Sequence, residues 1–203
     1  MAKTTVKFLG AHTHVQPATD LVSTSAVTGE TTKICNVPGF TSTYACGELV
    51  EFRSKKDAKA FAKVHGDVCV IFGEAPEVKI TVQSNCAMEV DPKRVMTVRE
   101  FDAMLRETML GRKTPGGYYK VRFTVVAGDD SLEIRTDVDY NATEGRTLYD
   151  ILRRRVTTCR TYDRLQEMLR AQGEDPEQVA IIYARVAHAV EVDACKPSHK
   201  RTA

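Results

Sequence analysis

The chain has 203 residues, of which 42% are hydrophobic and 28% charged. That balance suits one domain of ordinary size or two small ones, and it argues against disorder along the whole length. A net charge of +2 is too small to require a nucleic-acid or membrane partner, and no apolar run reaches the roughly 18 residues that a bilayer span needs.

The first residues lead into a short alternating stretch and not into an apolar signal core, so a cytoplasmic protein with no membrane contact is expected. Six cysteines (Cys35, Cys46, Cys69, Cys86, Cys159 and Cys195) are scattered without CxxC pairing. Reduced thiols are the default for such a chain, with Cys69, inside an apolar run, serving as a small buried hydrophobe.

In chain order, residues 3–9 alternate and predict a first strand. Residues 12–32 are rich in Thr, Ser, Ala and Val and read as a long loop or an excursion with weak strands. Residues 31–37 and 43–53 read as two strands joined by a turn at Pro38-Gly39. Ser54 with Asp57 has the spacing of a helix cap. Ala58, Phe61 and Ala62 then share one helical face, and Gly66 stops the helix. The continuous apolar run Val68 to Phe72 fits a central strand buried on both faces. Residues 77–83 alternate, with Val78, Ile80 and Val82 facing inward.

Thr97 and Glu100 form a second capping box, followed by the stripe Val98, Phe101, Leu105 and Met109. After a loop at 113–117, residues 118–126 and 132–140 predict a hairpin about Gly128-Asp129-Asp130. Thr147 and Asp150 open a third helical region that runs toward Gly173. Its apolar stripe moves by roughly a quarter turn between Leu148, Ile151, Leu152, Val156 and Tyr162, Leu165, Met168, Leu169. That shift predicts a kink near Thr157-Thr158, both β-branched. Residues 176–192 begin with a good helix start, Asp175-Pro176-Glu177, yet are rich in β-branched residues; helix is the preferred reading. Residues 196–203 form a basic tail.

Strands clustered first, and again before a helical segment, predict an α+β fold: a mixed or mostly antiparallel sheet with three to four helices packed on it. The chain reads as a single domain, 1–203, with room for a subdivision near 111–117.

Few residues point to chemistry. His12-Thr13-His14 with Cys35 and Cys46 would supply two imidazoles and two thiols to zinc, but neither cysteine belongs to the tight knuckle that such sites use. The pair therefore reads as polar residues in a surface loop, and no metal or other cofactor is assigned. Paired-histidine phosphoesterases need two His-x-Thr/Ser motifs. Position 14 is His, and His188-Ala189-Val190 does not supply the second motif. A Gly-x-Ser-x-Gly elbow and a phosphate loop are both absent, so no catalytic residue is named. Asp129, Asp130, Asp137 and Asp139 read as turn residues and a solvated strand face.

Two basic features remain. Strand periodicity puts Tyr118, Lys120 and Arg122 on one side of the sheet, where a ring beside cations suits unpaired bases. In one continuous helix, Arg153, Arg160 and Arg164 would lie within about 40° of one another and offer planar forks to phosphates. The leading expectation is a non-enzymatic nucleic-acid-binding protein that prefers single strands, RNA over DNA. The alternative is a protein-interaction module (an inhibitor, adaptor or assembly subunit, or a self-associating chain). It would use the apolar helical faces or the Thr/Ser-rich N-terminal third. A metal-dependent hydrolase using His12 and His14 stands third.

Overall fold

The computed structural model describes residues 3–25, 28, 31–85, 94–110, 118–139 and 147–195. The chain divides into two compact units, Met1–Val70 and Ile71–Ala203. The segments 111–117 and 196–203 lie outside the described residues. The fold is α+β, with helices and several antiparallel sheets.

The first unit runs β1 (Thr4–Phe8), β2 (His12–Gln16), β3 (Thr19–Thr24), β4 (Thr31–Val37), β5 (Phe40–Tyr44), β6 (Leu49–Phe52) and α1 (Lys55–His65). A 3-10 turn at Gly66–Val68 then leads into β7 (Cys69–Ile71). A three-stranded sheet has the order β6-β1-β7. Alternation in β1 places Val6 and Phe8 in the core, both fully buried. α1 starts at Ser54, whose hydroxyl accepts the Asp57 N–H at 3.1 Å, and it ends at Gly66, which takes φ +65°. A side chain at that φ is strained, so the glycine sets the helix end.

Of residues 12–32, read as a long loop or an excursion with weak strands, His12–Gln16 and Thr19–Thr24 are strands of a ribbon. β2 pairs with β5, from His12 opposite Tyr44 to Gln16 opposite Phe40. β3 pairs with β4, from Thr19 opposite Val37 to Thr24 opposite Thr31. β4 and β5 therefore do not form the hairpin that the sequence suggested at Pro38-Gly39; each pairs with an earlier strand. The strands were hard to read because neither face of the ribbon is fully packed. Leu21, Val22 and Ile34 are all more than half exposed, which removes the apolar alternation that marks a half-buried strand. Gly39 sits where the ribbon backbones come close: a Cβ there would lie 2.7 Å from the Gln16 carbonyl oxygen and 2.8 Å from the Ala18 nitrogen.

β7 differs from expectation as well. It is an edge strand of three residues, and Phe72 beyond its end is 55% exposed. A short apolar run gives the same signal at an edge as at a centre, because hydrogen-bond partners leave no mark on composition.

The second unit contains β8 (Val78–Asn85), β9 (Val95–Met96), α2 (Val98–Leu110), β10 (Tyr118–Ala127), β11 (Asp130–Asp139), α3 (Leu148–Thr161), α4 (Asp163–Ala171) and α5 (Pro176–Cys195). Its antiparallel sheet has the order β11-β10-β8-β9. One face buries Val78, Ile80, Val82, Val121, Phe123, Val125 and Ile134 against Phe101 and Leu105 of α2, Leu148 and Leu152 of α3, and Val186 and Val190 of α5. The other face carries Lys79, Thr81, Gln83, Arg122, Thr124 and Glu133, all exposed or half-buried. The capping box predicted for α2 is present, and α3 opens with another. Thr97 accepts the Glu100 N–H while Glu100 accepts the Thr97 N–H, and Thr147 and Asp150 do the same.

The break in the third helical region falls at Tyr162, which takes extended φ −98°, ψ 99°, and not at Thr157-Thr158. Those threonines donate their hydroxyls to the carbonyls of Arg153 and Arg154, one turn back. Their side-chain polarity is thereby satisfied inside the helix. The last segment is a helix throughout. Five consecutive residues, Val186 to Val190, are buried, so packing all round overrides their strand propensity.

Candidate metal centre

His12 and His14 occupy alternate positions of β2 and so point to the same face. The register with β5 places Tyr44 across from His12 and Ser42 across from His14. That face receives the C-terminal end of α1. On α1, Ala58, Phe61, Ala62 and His65 recur at helical spacing and turn inward, and His65 is only 7% exposed. The ring of His65 lies 5.3 Å from that of His12 and 4.9 Å from that of His14, between centroids. One ligand nitrogen from each of the three histidines lies within 4.8 Å of the other two. Among the described residues this is the one cluster of three or more metal-ligating side chains.

Aromatic rings wall the cluster on its buried side. Phe61 packs 4.2 Å from His65 and Tyr44 packs 5.0 Å from it. Phe8 stacks on Tyr44 at 4.2 Å and meets His65 edge-on at 5.5 Å. Two nitrogens, His12 Nε2 and His65 Nδ1, are buried and make no hydrogen bond. Buried polar atoms are usually satisfied, and leaving one unpaired costs about 1–3 kcal/mol. Burial holds the His65 imidazole below the usual histidine range, and the fields of His14 and His12 add to the effect. A buried, neutral imidazole with an unused nitrogen is the form in which histidine ligates a metal.

The donor set suits zinc or a neighbouring transition metal, which imidazole nitrogen binds at about 2.0–2.1 Å. Tetrahedral placement at that length puts ligand nitrogens about 3.3 Å apart. Neither cysteine considered from the sequence belongs to the cluster. Cys35 lies on the ribbon opposite Leu21, and the Cys46 thiol donates to the Leu9 carbonyl at 3.3 Å. His65 was not singled out from the sequence, although its seven-residue offset from Ala58 on the apolar stripe of α1 was a usable signal. His188, also buried with both nitrogens unpartnered, belongs to no cluster of three ligating side chains among the described residues and faces Phe72 at 6.0 Å.

The residues expected to meet nucleic acid fall on three elements, β10, α3 and α4. Tyr118 and Lys120 begin β10, with Lys120 in register with Asp137; their side chains lie outside the described part of the structure. Arg122 is on the open polar face of the sheet, and its guanidinium contacts Glu133 at 2.6 Å. Arg153 is exposed, 5.7 Å above the Tyr149 ring. Arg160 makes a bidentate pair with Glu177 of α5, at 3.1 and 2.8 Å. Arg164 lies on α4, beyond the break at Tyr162, so the three arginines do not share one continuous helix. Of the acids read as turn and strand residues, Asp130 is held by Arg185 through two hydrogen bonds.

The alternative partner surfaces divide in the same way. Phe101 and Leu105 are buried in the core, whereas Val15, Leu21, Ile34 and Phe40 of the ribbon are exposed. Among the described residues no helix is long and apolar enough to cross a membrane.

These features define an α+β protein with a three-histidine cluster where a β-ribbon meets a helix end. No known protein family, curated protein or solved structure matches the chain.

Proposed function

We propose that this protein binds a divalent transition metal, zinc foremost, through His12, His14 and His65. The observation that carries the reading is the convergence of three imidazoles, one of them buried with a nitrogen that nothing in the fold uses. Isolated buried histidines occur as packing residues, but three within ligating reach of one another are costly unless something occupies the space between them. Their mutual repulsion when protonated, and the unpaired nitrogens, both vanish on metal binding.

The test is metal analysis of the purified protein, followed by zinc titration of the chelator-treated form in a calorimeter. One zinc per chain is expected, and His12→Ala should abolish the titration. A wild-type protein that takes up no zinc, cobalt, nickel or copper would end the metal reading.

Nucleic-acid binding remains the second reading, favoured by the open polar sheet face that carries Arg122 and Lys79 and by the exposed Arg153 and Arg164. The pairs Arg122–Glu133 and Arg160–Glu177 weigh against it, because an arginine already neutralised releases fewer counterions on meeting a phosphate.

A further inference from the structure

The three histidines leave a bound metal one ligand short. Zinc in a closed structural site takes four protein ligands, whereas three protein ligands leave a position for an outside one. Among the described residues, no cysteine or carboxylate joins the cluster. Two thiols lie close in sequence to its elements, and both are engaged elsewhere. Cys46 donates to the Leu9 carbonyl. Cys69 is buried and donates to the Ala62 and Gly66 carbonyls. Burial, helped by Asp67, pushes the Cys69 thiol up to about 11, and its sulfur is not among the clustered ligand atoms.

The aromatic wall covers one side of the cluster, but His12 and His14 are themselves only half-buried. Solvent therefore reaches both strand histidines. Ser42, directly across from His14 and on the same face of the ribbon, places a hydroxyl in a neighbourhood otherwise made of rings.

Resting on the metal-binding reading, we infer that the three-histidine centre is an open site whose fourth ligand is exchangeable: water or hydroxide, replaceable by a small monovalent anion such as azide. Three neutral imidazoles leave the full double charge on the ion. An anion is drawn to that charge, and a bound water is acidified toward neutrality. A carboxylate or thiolate in the ligand set would have cancelled part of that charge.

The experiment uses the full chain, stripped of metal and reconstituted with cobalt(II), whose visible absorption reports ligand number and type. Cobalt binding is expected to give a visible spectrum that shifts on titration with azide and saturates, with no thiolate-to-cobalt charge-transfer band in the near ultraviolet. Cys46→Ser should leave both the spectrum and the azide response unchanged. A cobalt protein whose spectrum is indifferent to saturating azide, or that shows the thiolate band, would overturn the open-site inference while leaving metal binding intact. Failure to bind cobalt would end the inference, and failure to take up zinc, nickel and copper as well would end the metal reading itself.

Discussion

Replacing His65 with Phe separates a ligand from a packing residue, because the two roles predict opposite signs. His65 is 7% exposed, Nδ1 is buried without a partner, and the ring is surrounded by Phe8, Tyr44 and Phe61. A phenyl ring keeps those aromatic contacts and removes the unsatisfied nitrogen, whose burial costs about 1–3 kcal/mol. Slight overpacking offsets part of the gain, so a net stabilisation of about 1 kcal/mol is expected. In a unit of this size that raises the melting temperature by roughly 4–8 °C.

The sign should reverse when zinc is present. At one hundred times its dissociation constant the metal stabilises the wild-type protein by about 2.7 kcal/mol, and the variant gains none of this. The pH dependence has a definite direction. The folded-state pKa of His65 is depressed, so the unfolded chain binds the proton more readily. The stability tied to the neutral imidazole is therefore fully present above about pH 6.5 and is lost as pH falls through the lower, folded value. The variant should lack this loss. The assay is thermal denaturation followed by circular dichroism, with chelator and with zinc, across pH 5 to 8. A His65→Phe protein that is destabilised by more than about 1 kcal/mol without metal, or that zinc stabilises as it does the wild type, would refute the assignment of His65 as an orphaned ligand.

Leu105→Ala should cost about 2–5 kcal/mol by urea denaturation, since Leu105 is 1% exposed in the core of the second unit; a cost well below 1 kcal/mol would place α2 on the surface. Asp130→Ala should cost about 1.5–3 kcal/mol, because Arg185 loses two charge-assisted hydrogen bonds at a site largely shielded from water. Arg185→Leu combined with Asp130→Ala should recover part of that loss in a double-mutant cycle, and strictly additive losses would contradict a coupled pair. Gly39→Ala should destabilise the ribbon through its clash with the backbone at Gln16 and Ala18, seen as faster proteolysis between β2 and β5; an unchanged digestion rate would contradict that close approach. For nucleic acid, fluorescence anisotropy with labelled single-stranded RNA and DNA should show a log–log salt slope of about −0.7 per phosphate neutralised on a single strand. Changing Arg153, Arg160 and Arg164 together to Gln should flatten that slope, and the absence of saturable binding at low salt would dismiss the second reading.

The sequence by itself determined the elements whose signals are local. Ser54, Thr97 and Thr147 capped their helices as spacing predicted, because a cap is a bond between residues three apart. Val78, Ile80, Val82, Val121 and Phe123 faced the core because strand periodicity fixes their side. Tertiary structure decided whatever depended on partners distant in sequence. β3 pairs with β4 and β2 with β5, although no apolar pattern marks a ribbon with so little packed surface. Arg160 is held by Glu177 and Arg122 by Glu133, which the charges of α3 and β10 alone could not settle. The His-x-His pair was visible at once, but a metal site is a convergence in space. Its third member, His65, joins only when the ribbon is laid across the end of α1, more than fifty residues away along the chain.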